Sequence, residues 1–194
     1  MSKVLTKKEQ TKLRMLDAAS RSFRSHGFAG IGVDGIAKEA GVTSGAFYAH
    51  LGSKNKAFEA ILITGLDEVI EGVPKFQNDF KGEWVQAFAD YYLGPPHIED
   101  LECGCAMASL TSEVVRSDSK LQSIYERKMS KIADLMAEGL AEGSDGEKKA
   151  RAWTMLSTLI GGLNVVRAIG DETIALNVAS SIKSAAVKAA GKTQ

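Results

Sequence analysis

At 194 residues and 44% apolar side chains, the chain has the composition of a soluble globular protein, either one large domain or a small domain joined to a medium one, which excludes a disordered chain. Its apolar runs stop well short of a membrane span and MSKVLTKKEQTK lacks the apolar core of a secretory signal, so no membrane partner and a cytoplasmic location are expected. The net charge of zero hides a split: residues 1–56 hold ten Lys or Arg against four Asp or Glu, and the remainder 14 against 20, so the first quarter is the candidate for binding a polyanion.

In chain order, Leu13, Leu16, Ala19 and Phe23 recur at helical spacing from Lys7 to His26, and Gly27 is a stop signal. Residues 33–54, VDGIAKEAGVTSGAFYAHLGSK, hold two short helix patterns, about Val33–Ala40 and Ser44–Leu51, broken at Gly41. Gly41 supplies freedom for a tight turn, and Thr43 and Ser44 stand where an N-cap is needed. Ile36, Ala37, Val42, Phe47 and Leu51 pack the pair. Ser44, Gly45, Ala46, Tyr48, His50 and Lys54 stay free for a nucleic acid, with short side chains at the front and phosphate donors at the back. This spacing predicts a helix-turn-helix over 33–52.

A fourth helix is expected from near Ser53 toward Pro74. Further segments follow over Gly82–Leu93, about Gly104–Arg116, Ser119 to about Ala141, Glu147–Ile169 and Asp171–Ala190. No strand alternation is visible, so the fold is expected to be all-α with about nine helices. From Trp153 to Ile169 apolar residues occupy every side of the helix, which demands burial on more than one face. With the small-residue stripe of the last helix, this predicts half of an intermolecular four-helix bundle, with Leu159, Leu163, Val166, Ile174, Val178 and Ile182 at a homodimer interface.

With a basic first helix, GFAGIGVDGIAKEAGVTSGAFYAHLGSKNKAF after it and an all-helical remainder, the chain resembles the tetracycline-repressor (TetR/AcrR) family of bacterial transcription regulators, closely over residues 10–60. Beyond residue 61 the resemblance is limited to helix order and the segment Gly104-Cys105-Ala106-Met107-Ala108-Ser109-Leu110. It implies a DNA-binding domain over 1–58 and a ligand-binding and dimerisation domain over 59–194. It further implies a homodimer that represses by binding a palindromic double-stranded operator and leaves it when a small-molecule effector binds. Thr43 then caps the recognition helix and meets a phosphate, Tyr48 and His50 contact phosphates, and Lys54 acts with the positive end of the fourth helix. Ile31 and Gly32 stand where the family commonly has hydroxyl residues, and Leu51 where it has Phe.

The front of the recognition helix carries none of the side chains that read guanine or adenine bidentately. Sparse direct readout is expected: a Ser44 hydrogen bond, Ala46 against a thymine methyl and backbone approach at Gly45, helped by DNA shape and by Lys8 and Lys12. Large side chains on core-facing stripes, Trp84, Phe88, Tyr92, Met107, Leu110, Tyr125, Met129, Trp153 and Leu156, are the candidate effector lining. Gly30, Gly32 and Gly35 spell G-x-G-x-x-G, but a helix rather than a strand precedes them, so nucleotide binding is not expected. Cys103 and Cys105 with His97 fall short of a four-ligand zinc set, so no metal and no cofactor is expected. The same cysteines leave open a thiol-based redox or electrophile sensor with the same DNA output. No catalytic constellation stands out among the three histidines, so an enzyme is not expected.

Overall fold

The computed structural model describes residues 5–102 and 104–194, and is all-α. Ten helices follow one another: α1 (Lys7–Gly30), α2 (Val33–Glu39), α3 (Ser44–Leu51), α4 (Lys54–Phe80), α5 (Trp84–Tyr92), α6 (Pro95–Glu99), α7 (Ala106–Val115), α8 (Ser119–Glu138), α9 (Asp145–Ala168) and α10 (Glu172–Ala190). A single 3-10 turn, Lys81–Glu83, leads into α5, and one isolated bridge joins Leu140 to Thr193. No described helix is long and apolar enough to cross a membrane.

Local chemistry explains where most helices begin. Thr6 and Glu9 form a reciprocal capping box at α1, and Ser144 and Glu147 form another at α9, so α9 starts two residues earlier than its apolar pattern suggests. Side-chain oxygens of Thr43, Ser53, Asp118 and Asp171 accept from the first free amides of α3, α4, α8 and α10. Three boundaries differ most from expectation. Helix α1, expected to stop at Gly27, kinks there at φ +73° and continues to Gly30. Helix α4 runs through Pro74 to Phe80; the amide hydrogen bond lost at the proline is offset by burial of Val73 and by Gln77 donating to the Leu135 carbonyl of α8 at 2.7 Å. Helix α6 forms where Gly94-Pro95-Pro96 reads as a break, because prolines at the first helical positions forfeit no intrahelical bond.

Helices α1 to α3 make a head, and α4 to α10 a body. The boundary expected at residue 58 falls in the second turn of α4, and the apolar core runs without interruption from Met15 and Phe47 to Leu163 and Ala190. At the seam Phe23, Phe28 and Phe58 pack as a triad with centroids 5.3–5.6 Å apart. Deeper along α4, a Cβ on Gly65 would stand 2.5 Å from that of Ala106, so α4 and α7 touch closely there. In the body, Trp84 is buried and donates from Nε1 to the Gly139 carbonyl at 3.1 Å, tying α5 to the end of α8.

The predicted dimer residues divide. Leu159, Leu163 and Val166 are buried inside the chain itself, covered by its own α8 and α10, so their side chains are not available to a second copy. Val178 and Ile182 are half-buried against the same core, while Ile174 remains 54% exposed. The outward apolar groups of the α9/α10 pair are Val165 at 52%, Ile174 and Leu176 at 57%, with open space beside Gly161.

Because Phe23 is the ring common to head, seam and body, Phe23→Ala is expected to lower unfolding free energy by about 3–5 kcal/mol. Urea unfolding monitored by circular dichroism measures it; a loss below about 1 kcal/mol would contradict the seam as described.

Candidate DNA interface and effector cavity

In the head, Gly41 adopts φ +65° at the turn, a conformation that glycine reaches without strain, and Thr43 then opens α3 by accepting from the Ala46 amide at 3.2 Å. Phe47 and Leu51 face inward, and the opposite side of α3 looks outward. Thr43 and Gly45 are exposed, nothing but the Thr43 hydroxyl lies within 4 Å of a Cβ built on Gly45, and Tyr48 is 53% exposed. Ala46 and His50 are half-buried. On α1, Lys7, Lys8, Lys12 and Arg14 are exposed and make no ion pair among the described residues. The head therefore presents an outward helix face and, on α1, exposed cations without an ion pair among the described residues.

Two predicted contacts stand differently from expectation. Ser44 donates its hydroxyl proton to Oδ1 of Asp34 in the first turn of α2, so only its lone pairs face outward. Lys54 holds its ammonium 4.4 Å from the centroid of the Phe28 ring; burial lowers its pKa and the Glu113 carboxylate opposes that shift. In this arrangement Lys54 points to the seam, and an electrostatic tie runs from the start of α4 to α7. The G-x-G-x-x-G triplet lies across the end of α1 and the start of α2, with no strand before it.

Three hollows adjoin α4: one of about 290 Å³ lies between α1 and α4 at Leu13, Ser20, Arg24, Ile61 and Glu68, and two more involve the helices of the body. Of those two, the first, about 270 Å³, lies at the seam among Phe28, Phe58, Glu59, Glu113, Asp118 and Leu121. Its polar groups already have partners: Glu59 binds Lys120 at 2.8 Å, Asp118 caps α8, and Glu113 faces Arg116. The second, about 170 Å³, is walled by α4 with Phe76, α5 with Phe88 and Tyr92, α6 with His97, and the start of α7 with Cys105 and Met107, and Arg24 of α1 reaches it from the head. Ring contacts link Phe76 to Phe88 at 5.4 Å, Phe88 to Tyr92 at 5.8 Å and Tyr92 to His97 at 5.4 Å.

Of the nine expected lining residues, Phe88, Tyr92 and Met107 border this second cavity. Trp84, Leu110, Met129 and Leu156 are closed into the core, Tyr125 bonds Thr111 at 2.8 Å, and Trp153 packs half-buried against the core. Being large and core-facing made these residues fillers of space rather than borders of it. Sequence reasoning did not single out Arg24 or Phe76 and weighed His97 only as a metal ligand; Phe76 and His97 follow Pro74 and Pro96, where breaks are expected. His97 donates from Nδ1 to the Tyr91 carbonyl at 3.1 Å, and burial lowers its pKa, favouring the neutral ring, while that hydrogen bond opposes the shift.

Cys103 lies outside the described residues. Burial raises the Cys105 pKa, which disfavours at this residue the thiolate that a redox or electrophile sensor requires. Burial also raises the Tyr92 pKa well above the ordinary tyrosine range, with the nearby Cys105 thiol adding to it, so Tyr92 keeps its hydroxyl proton.

The family model described as "Bacterial regulatory proteins, tetR family" matches residues 15–61. The HTH-type transcriptional repressor SCO4008 of Streptomyces coelicolor is 30% identical over 132 residues, 68% of each chain, and the HTH-type transcriptional regulator SrpR of Pseudomonas putida is 38% identical over 60 residues, 31% of this chain and 28% of that one. Among solved structures, a TetR-family regulator from Agrobacterium tumefaciens superimposes with TM-score 0.76 at 15% identity, covering 92% of this chain and 98% of that one. AibR, solved with isovaleryl coenzyme A and operator DNA, gives 0.69 at 17% identity, covering 90% and 97%.

Asp34 places a carboxylate on the face that would meet phosphates. Asp34→Ala is expected to tighten binding to any duplex and to free the Ser44 hydroxyl; fluorescence anisotropy against two unrelated duplexes tests it, and unchanged or weaker affinity would show that Asp34 lies off the contact surface.

Proposed function

The chain belongs to the TetR family of bacterial regulatory proteins, and on that premise we propose that it is a homodimeric transcriptional repressor that binds a palindromic operator and is released by a small molecule. The observation that carries the reading is the exposed flank of α3, Thr43, Gly45 and Tyr48, in the same head as Lys7, Lys8, Lys12 and Arg14 of α1, which are exposed and make no ion pair among the described residues. Cations at the start of α1 and the donors of α3 hold phosphates and set register, while small residues at Gly45 and Ala46 let the backbone approach base edges. With Ser44 held by Asp34, sequence discrimination in each head is modest, and pairing two heads at a fixed separation supplies the remainder.

The surface that pairs them is the outer side of α9 and α10 at Gly161, Val165, Ile174 and Leu176, rather than the buried Leu159, Leu163 and Val166. Apolar side chains more than half exposed beside an open glycine suit close helix packing between two copies. Release follows from geometry: α4 and the end of α1 border the aromatic cavity, so a molecule seated there acts on the two helices that carry the head. SCO4008 is named a repressor, and AibR is solved with both an acyl-coenzyme A and operator DNA, which supports a ligand-responsive reading. Such a protein works in the cytoplasm, where its DNA is.

Selection of duplexes from a random pool by the full-length protein is expected to return an inverted repeat, with affinity that falls steeply with salt. Lys12→Ala is expected to reduce the salt slope by about one, and Tyr48→Ala to weaken all duplexes alike. Leu176→Arg is expected to yield a monomer in sedimentation equilibrium. A pool with no repeat, or a Leu176→Arg protein that remains dimeric, would overturn the corresponding part of the reading.

A further inference from the structure

The aromatic cavity contains two buried donors that lack an oxygen or nitrogen acceptor among the described residues. The Tyr92 hydroxyl, in a residue only 2% exposed, faces the Cys105 thiol, a weak acceptor, and Nε of Arg24 has no hydrogen-bond partner. Both residues border the same space. A buried donor left unpaired or paired only weakly is costly, so two at one cavity mark a place where a strong acceptor is missing. The rest of the Arg24 guanidinium is directed at neutral oxygens: Nη1 donates to Ser20 Oγ at 2.7 Å and to the Glu102 carbonyl at 3.4 Å, and no carboxylate pairs with it among the described residues.

Charge at the inner end is therefore positive. The charge of Arg167 also acts on the Tyr92 hydroxyl, while its guanidinium donates to the carbonyl of His97. Glu68, the one carboxylate on the lining, is exposed at the rim. The remaining walls are mostly aromatic or aliphatic, with Phe76, Phe88 and Met107, and add the polar but uncharged groups of Tyr91, His97 and Cys105. At about 170 Å³ the space is close to the roughly 150 Å³ that accommodates benzene in an engineered cavity, and too small for an acyl-coenzyme A.

We infer that this cavity is the effector site and takes a single-ring aromatic carboxylate, the ring lying among Phe76, Phe88 and Met107 and the carboxylate oxygens accepting from Tyr92 Oη and Arg24 Nε. The inference rests on the reading of the chain as a ligand-responsive regulator. A carboxylate suits the pair because it offers two acceptor oxygens to two separate donors and a counter-charge to Arg24. Glu68 at the rim disfavours a second negative group at the outer end of the ligand. Since Arg24 belongs to α1 and Tyr92 to α5, the bound carboxylate joins head to body directly.

Calorimetric titration of the full-length protein, free of DNA, with benzoate, toluene and 2-naphthoate tests this. Benzoate is expected to bind the wild type, and Tyr92→Phe and Arg24→Gln are each expected to weaken it about ten- to a hundred-fold, the worth of one hydrogen bond to a charged acceptor. Toluene, which lacks the oxygens, is expected to bind wild type and Tyr92→Phe equally, and 2-naphthoate to be excluded by size. Should Arg24→Gln lose helical signal in circular dichroism, Arg24→Lys keeps the charge and is expected to weaken benzoate as well. No benzoate binding by the wild type, or benzoate affinity unchanged in both variants, overturns the inference. Duplex binding by the same preparations without benzoate reads the regulator assignment separately. DNA binding with no benzoate binding sinks the cavity assignment alone, and benzoate binding with no DNA binding sinks the regulator reading alone.

Discussion

The molecule depends on α4 belonging to two structures at once. It starts at Ser53, immediately after the recognition helix, and its 27 residues extend about 40 Å into the body, where Gly65, Val73 and Phe76 border the aromatic cavity. A helix that size is stiff only if its flanks are packed, and here they are: Phe58 closes the triad with Phe23 and Phe28 at one end, while Gln77 binds the Leu135 carbonyl at the other. Helix α1 runs beside it and contributes Arg24 to the same cavity. Head orientation and cavity shape are consequently coupled through two helices, and a change at the cavity has a short mechanical route to the DNA-facing surface.

Electrostatics divide the work between affinity and selectivity. In the proposed DNA complex the exposed cations of α1 attract phosphates at range, and the acidic remainder of the chain opposes other orientations on a duplex. Asp34 works against this attraction locally, and its hold on Ser44 withdraws a donor from the reading surface. Lys54 is withdrawn too, lying over Phe28 and near Glu113. The head is therefore partly self-satisfied, and under the proposed reading a phosphate contact at either residue would replace an internal one.

Features set by nearest neighbours were legible in the sequence. Gly41 followed by Thr43 defines a turn and a cap through backbone chemistry alone, and the kink at Gly27, with φ +73°, falls where the glycine ended the apolar pattern. Features set by tertiary packing were not. Pro74 reads as a terminus, yet packing of Val73 and Gln77 carries α4 past it. Periodicity shows that α9 is apolar all round but not what covers each side; Leu163 and Val166 are covered by the chain's own helices, and Val165 is the one left outward. The cavity was hardest to foresee, because side-chain size identifies what fills a core, whereas a hollow needs missing volume. Gly72, which borders the hollow with nothing near its absent Cβ, was the better local signal.

The coupling of head and body is the central claim, and native-state hydrogen exchange tests it most directly. If the Phe23, Phe28 and Phe58 seam and the continuous α4 make one cooperative unit, the slowest amides of α1, around Ala18 to Phe23, open with the same free energy and the same denaturant dependence as those of α8 around Met129 to Ala133. Exchange of the α1 amides through a separate, lower-energy opening that leaves α8 protected would contradict it, since a head that unfolds alone has no rigid connection to the cavity.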